Sequence, residues 1–159
     1  MPPPPPPEPD KSELRISIAS VGDMMIGTDY PQNHLPDDDG VSFLADVASY
    51  LQRADIAFGN LEGVLINGGE PAKKCKNLNA CYLFRSPPRY GQHYADAGFD
   101  VVSLANNHAR DFGEEGREAS AAAMEAVGVA ASGFEGTWSL LELSLIHISE
   151  PTRQLTQSR

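Results

Sequence analysis

Three short stretches hold side chains whose types and spacing could do chemistry. Residues 101–113 read VVSLANNHARDFG and place Asn106, Asn107, His108 and Asp111 directly after an apolar run. Earlier, VGDMM carries Asp23, and GNLEG carries Asn60 and Glu62. Two carboxylates, an amide oxygen and an imidazole make a mixed oxygen and nitrogen set. Such a set suits Mn, Fe, Zn or Mg and differs from a closed structural zinc site, which favours thiolate. The imidazole is also a ready general acid or base. Plainer roles exist for single members: Asp23 after Gly22 can cap a turn, and Asn106 can make the side-chain bonds that loops use. Convergence of three segments is what favours a site.

The elements that must position these residues follow from hydrophobic periodicity. Leu14, Ile16, Ile18 and then Val21 alternate as in a strand that ends at Gly22. Phe43, Leu44, Val47, Ala48 and Leu51 recur at helical spacing, preceded by an acidic turn, Asp37 to Asp39, that would cap the helix. Ile56 to Phe58 form a second strand, and residues 66–85 read as a polar excursion. Ser86 as cap and Pro87 in the first turn open a second helix that stops at Gly98. FDVVSLA has the apolar continuity of a strand buried on both faces. Asp111 and Glu114 are spaced like a capping box ahead of a third helix ending near Gly128, and VAAS begins a fourth strand. Alternating strands and helices wind, through right-handed crossovers, into an α/β fold with a mostly parallel sheet covered by helices. In such a sheet the C-terminal strand ends share one crevice, where Asp23, Asn60, Glu62, Asn106, Asn107 and His108 would meet.

Composition sets the boundaries. The 159 residues include 12 Lys and Arg against 22 Asp and Glu, a net charge of −10 that repels nucleic acid and anionic lipid. A bound cation at the crevice would reverse that field locally and admit an anionic group. No apolar run of about 18 residues is present, and the N-terminus lacks the basic-then-apolar layout of a signal peptide. Residues 1–12, with MPPPPPPEPD, read as a Pro-rich linker, residues 13–142 as the front part of a larger domain, and residues 143–159 as a non-native tail. LSLIHISEPTRQ resembles translated sequencing-adapter read-through, so His147 and Glu150 carry no functional weight. Cys75 and Cys81 allow a local disulfide, half a metal site or two unrelated thiols. His34 and His93 have no partner at ligand spacing and read as bystanders.

GDMMIG, GNLEG and DVVSLANNHARDFGEEG resemble the signature segments of the bacterial capsule synthesis family. These are CapA- or PgsA-type poly-γ-glutamate synthesis proteins, related in fold to calcineurin-like metallophosphatases. The resemblance covers residues 14–134. It implies an α/β/β/α sandwich with a metal-binding edge. Asp23 would be the first metal-site aspartate, Glu62 the bridging acid and Asn107 a ligand, with His108 near the leaving group or polarising the attacked one. Catalytic work would fall to His108 and Asn107. Met25, Asn60 and Ala109 stand where the wider phosphatase pattern has His, an Asp and an acid, which favours the capsule family over a generic phosphatase. Later histidine motifs of such folds are absent, so weak or no metal binding is expected from these residues alone. The resemblance also implies a membrane-associated or extracytoplasmic setting.

Two functions compete. The first is a metal-dependent hydrolase or transferase acting on a phosphoester or an amide-linked acidic polymer. The second is a non-catalytic component of a capsule-polymer synthesis or export complex at the membrane, which would grip its anionic polymer through Lys73, Lys74, Lys76, Arg85 and Arg89. That basic cluster can equally be a solvated loop. A nucleotide-binding reading lacks the required glycine-rich loop followed by Lys-Ser or Lys-Thr. No nucleic-acid partner is expected.

Overall fold

The computed structural model describes residues 15–74, 81–136, 138, 139 and 141. The Pro-rich start, Cys75, Lys76 and the 143–159 tail with His147 and Glu150 lie outside the described residues. Strand β1 (Ile18–Met24) leads through helix α1 (Ala45–Leu51) to β2 (Ile56–Leu61). Two very short strands follow, β3 (Val64–Leu65) and β4 (Arg85–Ser86), and then a 3₁₀ turn at Pro88–Tyr90 runs into α2 (Gly91–Ala97). Strand β5 (Val101–Ser103), helix α3 (Gly113–Glu125) and strand β6 (Ala130–Ser132) complete the order. The main sheet is parallel throughout, in the order β1-β2-β5-β6, so the chain has an α/β fold.

Because the strand order never reverses, right-handed crossovers lay all three helices on the same side. Burial agrees with that: Ala57, Leu61 and Val102 of the sheet pack in one core with Leu51 of α1, Tyr94 and Ala97 of α2, and Ala121 and Met124 of α3. The opposite face carries Ile18, Ile56, Phe58, Val101 and Ala130, which are exposed or half-buried. Strand β5 is thus covered by helices on one face, not both. The alternation of Ile16 and Ile18 likewise does not mark the core face, since they are 54% and 65% exposed while Ala19 packs inward.

Three local expectations need correction. Ser86 does not cap α2. It lies in β4, donates its Oγ–H to the Gly27 carbonyl, and its carbonyl accepts from Ile66 N. The acidic turn does not cap α1 either, whose first residue follows Leu44 with no side-chain cap. Asp38 instead accepts from Gly40 N, Ser42 N and Ser42 Oγ, and these bonds hold its carboxyl below the usual range. Finally, α3 starts after Phe112 without a capping box, because Asp111 is engaged elsewhere. Helix α3 is tied to β3 by Ser120, whose buried Oγ donates to Gly116 O and accepts from Leu65 N.

Candidate functional site at the strand ends

A bulge in β1 sets the rim. The register pairs Ile18 with Ile56, Ala19 with Ala57 and Ser20 with Phe58, then resumes with Asp23 opposite Asn60, so β1 carries one extra residue between them. An inserted residue inverts which face the following side chains take. Asp23 therefore shares its face with Asn60, and the same row continues through Ser103 and Ser132. Without the extra residue, Gly22 would occupy that position.

At this rim Asn60 links two carboxylates. Its Nδ2 donates to Asp23 Oδ1 at 2.7 Å and to Glu62 Oε2 at 2.9 Å. Asn106 reaches over from the end of β5, its Nδ2 donating to Asn60 Oδ1 at 3.0 Å and to the Leu61 carbonyl at 2.8 Å. Its Oδ1 accepts from His108 N at 2.9 Å, the local turn bond that asparagine commonly makes. Asn106 thus serves the loop and the rim together.

His108 is nearly buried between two acids. Its Nδ1 lies 2.7 Å from Asp111 Oδ2, and its Nε2 lies 3.8 Å from Glu62 Oε1. A carboxylate only accepts, so Nδ1 carries the proton, and in the neutral ring Nε2 keeps its lone pair toward Glu62. Asp111 is fully buried, and its Oδ2 also accepts from Phe84 N at 2.8 Å. The Phe84 ring lies against the imidazole, centroids 4.4 Å apart. The excursion between β3 and β4 therefore returns to hold the imidazole in place.

Asn107, one residue earlier, does not join this cluster. It is exposed, makes no side-chain hydrogen bond among the described residues, and lines a groove of ≈ 690 Å³ with Arg110, Arg117 and the Ser132–Glu135 turn. Neighbouring side chains in a turn diverge, and Asn106 is the one pointed inward. Asp111 was visible in the sequence, but its helix-capping spacing concealed its bond to His108. Phe84 carried no signal, since its part depends on a long loop closing back.

The donor chemistry fits a cation in part. Asp23 and Glu62 already place one oxygen each around the two N–H bonds of a single amide, whose hydrogens carry the positive charge, and the same two oxygens could face a hard divalent ion. Among the described residues, no three His, Cys, Asp or Glu side chains form a metal-holding group. Cys81 is disulfide-bonded, which removes its thiolate as a ligand; Cys75 lies outside the described residues.

The basic cluster is largely engaged by acids. Arg85 pairs with Asp29 at 2.6 Å and donates to Gly68 O, Arg89 makes a two-pronged pair with Asp39, and Lys73 faces Asp111. His93 bonds the Asp39 carbonyl at 2.8 Å through Nε2 and is half-buried, while His34 is exposed; among the described residues neither side chain bonds to the rim cluster.

Residues 17–138 match the family model described as the bacterial capsule synthesis protein PGA_cap. The chain belongs to this bacterial capsule synthesis family. Asp23, Glu62, His108 and Asp111 all fall inside the matched span. Two relatives from Sinorhizobium fredii (strain NBRC 101917 / NGR234), "Uncharacterized protein y4sH" and "Uncharacterized protein y4uA", are each 24% identical over 121 residues. That alignment takes in 74% of this chain and 24% of each relative, so the chain spans about a quarter of their length.

Proposed function

We propose that this capsule-synthesis chain carries the reactive rim of a metal-assisted hydrolase or transferase whose substrate is a phosphoester or an amide-linked anionic polymer. The observation that carries the reading is the buried Asp111 gripping His108 Nδ1 while Nε2 faces Glu62. A carboxylate behind an imidazole fixes its tautomer and steadies the charge it acquires, leaving the far nitrogen to move a proton. His108 is the acid or electrostatic stabiliser, and Asn106 holds the loop that presents it.

Asp23 and Glu62 would hold the divalent ion, whether Mn, Fe, Zn or Mg. Asn107, the third ligand implied by resemblance, is exposed among groove residues, so the reading rests on the two carboxylates. When bound, the cation supplies Lewis acidity and a nucleophile at neutral pH. It would also offset the net charge of −10 where an anionic substrate must approach. The non-catalytic polymer-holding role is less supported, because Lys73, Arg85 and Arg89 already face carboxylates.

The test is turnover of bis(p-nitrophenyl) phosphate and of a γ-glutamyl oligomer with added Mn²⁺, comparing a protein that carries these residues at the length of the relatives with its Asp23→Ala and His108→Ala variants. Turnover that depends on metal and on both residues supports the proposal. Equal turnover in all three proteins rules it out.

A further inference from the structure

We infer that Lys73 is a positioning residue for His108, acting through Asp111; the inference rests on the proposed reading of His108 as the group that works at the rim. Lys73 belongs to the AKKCKN run, whose charge the proposed chemistry otherwise leaves unused.

Asp111 has two oxygens in unequal circumstances. Oδ2 accepts from both His108 Nδ1 and Phe84 N. Oδ1 is buried with no hydrogen bond among the described residues, and the cation facing it is Lys73 Nζ at 3.4 Å. The same ammonium lies 3.4 Å from His108 Nδ1 and 3.4 Å from the Tyr82 carbonyl. It therefore sits at the corner of the acid and the ring, with its own side chain 32% exposed and Asp111 at 0%.

That placement has a definite effect on the ring. A buried carboxylate left with one unpaired oxygen can turn to share both of its oxygens among its donors, and the imidazole then loses a fixed acceptor. An ammonium beside Oδ1 occupies that oxygen and leaves Oδ2 to the Nδ1 proton. Lys73 cannot itself donate to Nδ1 while that nitrogen carries its proton, so its hold on the tautomer with Nε2 bare toward Glu62 runs through Asp111 Oδ1 and not through the ring. The backbone holds the lysine in reach, since Ala72 N donates to the Asp111 carbonyl at 2.9 Å and Lys73 N does so at 3.4 Å. Lysine and carboxylate are thus latched at main chain and side chain alike.

The experiment reads the ring directly. Long-range proton–nitrogen NMR of the 159-residue chain, labelled at histidine, reports which nitrogen of His108 bears the proton, with His108→Gln assigning the signal. Expected is a protonated Nδ1 in the wild type, loss of that single-tautomer pattern in Lys73→Met, and its retention in Lys73→Arg and Lys74→Met. Amide dispersion checks that each variant is folded. An unchanged pattern in Lys73→Met overturns the inference, as does equal loss in Lys74→Met or in Lys73→Arg. Phosphodiester turnover by a protein carrying these residues at the length of the relatives separates the two readings: no turnover there, with the Lys73-dependent tautomer present, removes the hydrolase proposal and upholds the role of Lys73.

Discussion

His108 Nδ1–H donates a hydrogen bond to Asp111 Oδ2 across 2.7 Å, and the accepting acid has no solvent exposure. The pair spans three residues of one turn, so the geometry is local. Its surroundings are not, because Phe84 and Lys73 arrive from the far side of a long loop.

Replacing His108 by Ala removes the proton-carrying group and should lower metal-supported phosphodiester turnover by roughly 100- to 10,000-fold, the range general acid–base catalysis contributes. Asp23→Ala should instead raise the Mn²⁺ concentration needed for half-maximal rate. Steady-state assays across a metal titration distinguish the two effects. A His108→Ala protein with full activity would end the assignment.

Asp111→Ala should destabilise the fold as well as the site. It strips Phe84 N of its acceptor and His108 Nδ1 of its partner, and each buried group left unpaired costs about 1–3 kcal/mol. Urea unfolding followed by circular dichroism measures the loss. A midpoint equal to that of the wild type would mean the dyad is structurally idle.

Gly133 and Gly128 make a matched comparison. Both have positive φ, 134° and 81°, yet a Cβ on Gly133 would lie 2.7 Å from Ala105 N and 2.8 Å from the Leu104 carbonyl carbon, whereas Gly128 faces open space. Gly128→Ala should cost about 1–2 kcal/mol from backbone strain alone. Gly133→Ala should cost about 1–3 kcal/mol more, since the clash is with backbone between β5 and β6. Equal thermal midpoints for the two variants would contradict the close approach.

Alkaline stability should depend on two tyrosines. Burial, reinforced by the Asp39 carboxylate, pushes the Tyr90 phenol from 10.0 up to about 12, and burial drives Tyr94 upward as well. The folded state favours the neutral phenol, so this contribution is whole below pH 10 and is lost as pH rises through about 12. Ultraviolet titration should show these two phenolates forming together with the loss of far-ultraviolet dichroism. Ionisation of either near pH 10 within an intact fold would refute the linkage.

The strand and helix order was legible because apolar spacing marks where an element runs, as with Ile56 to Phe58 and the helical spacing from Phe43 to Leu51, although it did not mark which face is buried, as Ile16 and Ile18 show. That Asp23, Glu62 and His108 lie at the same end of the sheet followed from strand direction, but which face Asp23 takes did not. Three features were hidden for physical reasons. Two-residue strands such as β3 and β4 are too short to show a period. The bulge that aims Asp23 is a property of pairing, which one strand cannot display by itself. Asp111 satisfies a local capping pattern, but its bonds to His108 and Phe84 take the carboxylate away from the helix terminus.

The unreversed strand order has an implication for how such a rim can change. The reactive side chains sit at or just past different strand tips, Asp23 near the end of β1, Glu62 after β2 and His108 with Asp111 after β5, while the helices are anchored to the shared inner layer. A lineage can lengthen, shorten or re-letter one segment without disturbing its neighbours. The chemistry is thereby modular, and the platform beneath it can stay the same while the reaction is revised a strand tip at a time.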